Sequence, residues 1–157
     1  MATSVLTDRS NRPSQSAGGL VIGTRVMTMD GELPVEHLCA GDRILTRAGV
    51  RTLSSVSVRV ERDMAVIRVG ASTLGHNRPV DDTLVPAGQM VLIRDWRAKA
   101  LYGADQILVP AARLADGDLI RLETVPEARV FTLGFDADVV IYASGLEVAC
   151  LRETVAA

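Results

Sequence analysis

The sequence is poor in aromatic residues and in lysine. It contains one Trp, two Tyr and two Phe among 157 residues, and Lys99 is its only lysine. Val, Leu, Ile and Ala supply most of the apolar residues, and β-branched residues favour strands. The formal net charge is −2, and Lys and Arg form no run that could bind nucleic acid or anionic lipid. We therefore predict a β-rich domain that does not bind nucleic acid.

Cysteine and histidine are also scarce. Cys39, Cys150, His37 and His76 are the only residues of these types, and their spacing is not that of a zinc site. Two thiols cannot build a disulfide framework, so the cysteine content does not decide between a reducing and an oxidising compartment. Cys39 is predicted to fill a small apolar slot, and the two histidines are predicted to be solvated.

Long apolar runs are absent as well. No run reaches about 18 residues, so we predict no membrane span. Residues 1–18 lack the charged start and apolar centre of a signal peptide, and their polar composition predicts a disordered lead-in. One domain is expected over 19–151, with a tail at 152–157. The sequence leaves a cytoplasmic location and export by a signal-independent route both open.

Carboxylate pairs are the only grounds for a cation site. Asp81 with Asp82, and Asp136 with Asp138, could hold a hard cation if the fold brought them together. The plainer interpretation is loop capping and solvation. Because no phosphate-binding loop or catalytic triad order is visible either, we predict no metal and no cofactor.

One pattern occurs twice. Residues 34–45 read PVEHLCAGDRIL and residues 110–121 read PAARLADGDLIR, which share P-x-x-x-L-x-x-G-D-x-I. The Pro fixes φ at a short helical turn, and the Leu points toward the core. The Gly accepts an unusual backbone angle, and the Asp can bond back to local N–H groups. Two copies of this corner indicate a fold of two related halves.

Turn signals about every 8–12 residues separate roughly ten or more short strands. In one strand, Val56, Val58 and Val60 are predicted to face the core, and Arg59 is predicted on the polar face. Residues 95–104 favour a short helix or turn. Because no long amphipathic helix is visible, we predict a single all-β domain.

Four segments resemble the Hint (Hedgehog/intein) family, especially its bacterial type. Residues 23–49 read GTRVMTMDGELPVEHLCAGDRILTRAG, 81–95 read DDTLVPAGQMVLIRD, 107–118 read ILVPAARLADGD, and 135–151 read FDADVVIYASGLEVACL. The resemblance runs over 19–151. It implies an all-β, horseshoe-like fold of two pseudo-symmetric halves.

The resemblance also implies a chemistry. In Hint domains that process themselves, a first-residue Cys attacks the carbonyl of the preceding peptide bond and forms a thioester. A His protonates the departing amine, and a Ser or Thr three residues before that His helps to polarise the bond. A second nucleophile then resolves the thioester.

These roles fall on residues that cannot perform them. The nucleophile position is Gly19, the Ser position is Pro86, the His position is Gln89, and the closing His position is Asp138. Glycine has no side chain, proline has no hydroxyl, and glutamine cannot transfer a proton near neutral pH. The resemblance therefore favours a degenerate domain that does not process itself, and it leaves open whether the domain is an enzyme.

Some residues near the implied site keep reactive or family-typical side chains. Asp82 and Thr24 match the family's pattern, and Cys150 lies where the family's chain end returns to the active site. The alternative prediction is residual autoproteolysis or acyl transfer, with Cys150 or Thr24 as a nonstandard nucleophile. The favoured prediction is a binding or remnant module, with a peptide or protein partner in the former active-site cleft.

Overall fold

A computed structural model of the chain describes residues 18–76 and 78–152. The predicted lead-in at 1–18 and the predicted tail at 152–157 lie outside the described residues except at Gly18 and Arg152. All structural statements below concern the described residues.

Strands dominate this part of the chain. The elements are β1 (Leu20–Val21), β2 (Arg25–Thr28), β3 (Gly31–Pro34), β4 (Arg43–Thr46), β5 (Gly49–Thr52), β6 (Ser55–Val69), β7 (Thr83–Pro86), β8 (Met90–Ile93), α1 (Trp96–Tyr102), β9 (Ile107–Pro110), β10 (Ile120–Gly134), β11 (Val139–Ala143) and β12 (Leu146–Cys150), with 3-10 turns at Val35–His37 and Ala111–Leu114. The predicted all-β class is confirmed.

The strands form two antiparallel sheets. The smaller sheet has the order β1-β10-β6-β7, and the larger follows β3-β2-β4-β11-β12-β8-β9, with β5 added beside β4. Read from either edge, the smaller sheet has a short strand, two strands of 15 residues each, and another short strand. This symmetry provides the two related halves that the repeated corner predicts.

Both corners have the predicted geometry. The prolines have φ of −59° and −61° and precede the two 3-10 turns, and the glycines have φ of 99° and 82°. The leucine and the isoleucine of the shared pattern are buried in both copies. The residues in these roles are Pro34, Leu38, Gly41 and Ile44 in the first corner, and Pro110, Leu114, Gly117 and Ile120 in the second.

The corner carboxylates differ between the copies. Asp42 accepts a hydrogen bond from the backbone N–H of Cys39 at 2.9 Å, as predicted. In the second corner the acceptor is Asp116, which bonds the N–H groups of Asp118 and Ile120 at 2.9 and 3.0 Å. The aspartate of the shared pattern therefore has its predicted role only in the first corner.

The predicted orientation of β6 is wrong at residues 58–61, whereas Val56 packs against the core as predicted. Val58 and Val60 are each 56% exposed, whereas Arg59 and Glu61 are partly buried. At Arg59 this face is partly covered by the chain at Gly18, whose carbonyl accepts a hydrogen bond from the guanidinium. Alternation shows that two faces of a strand differ, but it does not show which face the rest of the chain covers.

A short helix lies within the predicted segment 95–104. The side chain of Asp95 accepts from the N–H of Arg97 and caps α1, and Gly103 ends it with φ of 67°. No helix among the described residues is long and apolar enough to span a membrane.

Candidate functional site

A cleft of about 510 Å³ lies where the first described residues meet the β7–β8 turn, β10 and the end of β12. It brings together three positions that the sequence singles out, Gly19, Gln89 and Cys150. These three positions are far apart along the chain, and the fold brings them to one cleft.

A tight turn holds Gln89 in this cleft. The backbone N–H of Gln89 donates to the carbonyl of Pro86 at 2.9 Å, which closes the turn after β7. The buried side-chain Nε2 donates to the carbonyls of Ala149 and Met90 at 2.6 and 2.9 Å. Because the amide is fixed by these two bonds, its Oε1 has a defined direction.

The Gly18–Gly19 peptide bond is held at both of its polar atoms. Its N–H, from Gly19, donates to Gln89 Oε1 at 2.7 Å, and its carbonyl, from Gly18, accepts from Arg59 Nη2 at 2.8 Å. Glu61 orients the guanidinium by accepting from Arg59 Nε at 2.7 Å. We call this arrangement the peptide clasp. By the Hint correspondence, this is the peptide bond that a nucleophile at position 19 would attack.

The surroundings of Gly19 leave no space for a side chain. Its φ of +125° is a conformation that residues with a Cβ rarely adopt. A Cβ placed there would lie 2.6 Å from Cγ1 of Val130 and 3.0 Å from the carbonyl oxygen of Phe131. A side chain at position 19 would therefore have to displace Val130 or the backbone of Phe131.

Cys150 ends β12 and lines the same cleft. Burial raises the pKa of its thiol to about 12, because a thiolate is poorly solvated in the protein interior. The thiol is therefore protonated at neutral pH, and the thiolate is the form that attacks carbonyls.

Thr24 and Asp82 do not line this cleft but a second one of about 380 Å³. The Thr24 hydroxyl donates to the carbonyl of Val21 at 2.7 Å, and Asp82 accepts from the N–H of Ala71 at 2.9 Å. Both side chains make local bonds that shape turns.

Pro86 and Asp138 also lie outside the cleft lining. Pro86 pairs with Val66 in the smaller sheet, and its carbonyl receives the N–H of Gln89. The carboxylate of Asp138 accepts from the backbone N–H of Arg152 near the end of the described chain. These residues support the segments around the cleft.

The remaining candidates have unremarkable surroundings. His37 and His76 are exposed, as predicted, but Cys39 is exposed too, so the predicted apolar slot is wrong. The reason is that the corner turns this position outward, as it does Ala115 in the second copy. Among the described residues, no group of three or more His, Cys, Asp or Glu side chains is placed to hold a metal ion.

Two important side chains were missed by the sequence reasoning. Arg59 was assigned to the solvated face of β6, although it holds the Gly18 carbonyl. Glu147 is buried in the apolar strand β12 and contacts three arginines. A single charged residue inside an apolar strand indicates a buried ion pair, and the sequence around Glu147 has this pattern.

The family model of the Hint domain matches residues 19–154. The chain therefore belongs to the Hint domain family. No curated protein matches the sequence.

Solved structures agree on the fold. The bacterial intein-like domain from Clostridium thermocellum is 15% identical with a TM-score of 0.64, over 87% of this chain and 100% of that one. The Ssp DnaB mini-intein variant M86 is 12% identical with a TM-score of 0.57, over 90% and 98%. The gp41-1 intein is 14% identical with a TM-score of 0.54, and the match covers 85% of this chain and 98% of that one. At these identities the likeness is one of fold.

Proposed function

We propose that this Hint domain does not cleave or splice its own chain and that its cleft binds peptide backbone. The observation that carries the proposal is the peptide clasp. Arg59 and Gln89 offer one donor and one acceptor that match the carbonyl and the N–H of a peptide group. The chain's own Gly18–Gly19 bond takes this place, and the rest of the cleft is the surface for a peptide or protein partner.

The clasp favours the intact amide over its cleavage. A hydrogen bond to the carbonyl oxygen and one from the N–H both favour the planar resonance form, which strengthens the C–N bond. Cleavage requires a proton on the departing nitrogen, and the Oε1 of Gln89 is an acceptor that has none to give. The Arg59 bond alone would strengthen as the carbonyl oxygen gained charge, so the case against cleavage depends on the absence of a nucleophile at position 19 and of a proton donor at position 89.

The second candidate function is acyl transfer by Cys150. Its position in the same cleft favours this candidate over one that uses Thr24, whose hydroxyl is bonded to Val21. The high pKa of the Cys150 thiol disfavours it, since a protonated thiol is a weak nucleophile.

Intact mass measurement separates the two functions. We expect the full chain to keep its mass, apart from removal of the initiator Met, during incubation with dithiothreitol or hydroxylamine at neutral pH. Loss of a fragment that ends at Gly18 would refute the proposal. In that case a parallel Cys150→Ala sample identifies the nucleophile, because only Cys150-dependent cleavage would stop.

A restored variant tests whether the site has closed. Gly19→Cys with Gln89→His returns the family's nucleophile and acid. We expect no cleavage, because the Cβ of residue 19 would meet Val130. Cleavage by this double variant would show that only the two side chains were lost and that the cleft still has the processing geometry.

A further inference from the structure

We propose that the side chains around Glu147 form a binding site for a phosphate-sized oxyanion. The arginine cluster, as we name it, consists of Arg47, Arg78, Arg94 and Glu147. The arginine cluster lies outside the cleft, and its proposed binding of an oxyanion does not depend on the function that we propose for the cleft.

Three separate segments converge on one buried carboxylate. Glu147 is 4% exposed in the middle of β12. Its Oε2 lies 2.6 Å from Nη1 of Arg47, which is in the β4–β5 turn. Its Oε1 lies 2.8 Å from Nε of Arg94, just after β8, and 3.4 Å from Nη1 of Arg78, in the loop before β7.

The cluster has more positive charge than its own carboxylate can balance. Within residues 18–76 and 78–152, none of the three arginines lies within 4 Å of a second carboxylate. Arg47 has one more polar contact, to the neutral side chain of Gln106 at 3.4 Å. Three guanidinium groups and one carboxylate leave a local charge of +2. Since Arg78 and Arg94 share one oxygen, their like charges lie side by side, and a further anion would relieve the repulsion.

The arginines remain accessible to a solute. Their side chains are 34%, 35% and 32% exposed for Arg47, Arg78 and Arg94. A guanidinium has five N–H donors, and Glu147 occupies only part of them. The unused donors are therefore partly desolvated and within reach of a ligand from solvent.

A tetrahedral oxyanion fits this combination best. It has several acceptor oxygens for the planar donor forks of arginine, and a doubly charged one matches the excess charge. Inorganic phosphate and a phosphoryl group on a larger molecule share this chemistry. In contrast, Arg59 and Arg62 on β6 have one carboxylate each, Glu61 and Glu127.

Calorimetric titration and thermal unfolding of the full chain test the site. Inorganic phosphate at about ten times its dissociation constant should raise the Tm by about 4 °C over sodium chloride of equal ionic strength. Arg78→Gln should bind phosphate about tenfold more weakly, because it removes one charge-assisted donor. Arg62→Gln is the matched control and should bind like the wild type. Parallel titration with phosphoserine separates the sources: tighter binding than inorganic phosphate indicates a phosphoryl group on a larger molecule.

Equal responses to phosphate and chloride would overturn the proposal, as would unchanged phosphate binding by Arg78→Gln. Arg78 has the longest of the three contacts, so its replacement should leave the fold intact. If that variant does not fold, Arg47→Gln takes its place with the same expected loss.

Discussion

The two corners and the cleft compare differently with the Hint pattern that the sequence resembles. In both corners the proline, leucine, glycine and isoleucine of the shared pattern keep one role each, and both copies bury the same positions. In the cleft, Gly19 and Gln89 stand where the resemblance to Hint domains places the reactive residues, and the two are joined by a hydrogen bond of the peptide clasp. The comparison shows that the corners repeat their buried positions, whereas the polar groups of the cleft are joined by hydrogen bonds between distant segments.

The two corners differ in the aspartate that accepts hydrogen bonds from the backbone. The first corner fixes its turn through Asp42, and the second uses Asp116, two residues before the aspartate of the shared pattern. Asp42 bonds an N–H that follows the 3-10 turn, and Asp116 bonds N–H groups at and just before the start of β10. The packing positions are therefore more strictly repeated than the hydrogen-bonding ones.

The largest expected effects test whether the two corners are equivalent. Leu38→Ala and Leu114→Ala each remove a buried side chain and leave a cavity, so each should lower the free energy of unfolding by about 2–5 kcal/mol. Urea denaturation measures the effect. The control is Leu119, which lies in the second corner but is exposed, and its change to Ala should lower the free energy of unfolding by less than about 0.5 kcal/mol. A large cost at only one of the two corners would show that the halves are unequal.

A smaller effect tests the claim that the cleft has closed around Gly19. Gly19→Ala should destabilise the fold by about 1–3 kcal/mol, because it combines an unfavourable φ with the contact to Val130. Gly23 has φ of +90° and open space around it, so Gly23→Ala carries only the backbone penalty, about 1 kcal/mol. Equal losses in urea denaturation would mean that the cleft yields easily to a side chain.

The smallest expected effect tests whether Asp116, and not Asp118, supplies the hydrogen bonds of the second corner. The N–H groups of Asp118 and Ile120 hold the pKa of Asp116 below its usual range. A lowered folded-state pKa gives stability that is present above the unfolded pKa, about 3.9, and is lost as the pH falls through the folded pKa. Asp116→Ala should lower the free energy of unfolding by about 1 kcal/mol at pH 7 and by less below pH 4. The figure at pH 7 is reduced because Asp116 is exposed to solvent.

Asp118→Ala is the matched control for that experiment. Asp118 takes part in the corner through its backbone N–H, which the substitution keeps. We expect a change within about 0.5 kcal/mol, with the pH dependence of the wild type. If Asp118→Ala is instead the more destabilising variant in urea denaturation at several pH values, then Asp118, the aspartate of the shared pattern, has the hydrogen-bonding role.

Much of the fold could be predicted from the sequence, because its corners are local. Pro34, Leu38 and Gly41 act within one turn, so their spacing carries the information. The orientation of Val58 and Val60 could not be predicted, since it depends on where the chain at Gly18 crosses the strand.

The candidate site was predictable to a smaller extent. The places of Gly19 and Gln89 came from the resemblance, and the structure brings both to one cleft. The role of Arg59 and the three partners of Glu147 depend on contacts between distant segments. Only the apolar strand around Glu147 gave a local sign of a buried charge.

The pairing of β6 with β10 has a consequence for the speed of folding. Val69 pairs with Ile120 and Ser55 with Gly134, so the centre of the smaller sheet joins residues from different halves of the domain. Each of these pairings requires a long loop to close before its contacts form, and closure of long loops costs conformational entropy. We expect this domain to fold in milliseconds to seconds, slowly for its size, as domains dominated by distant strand pairs do.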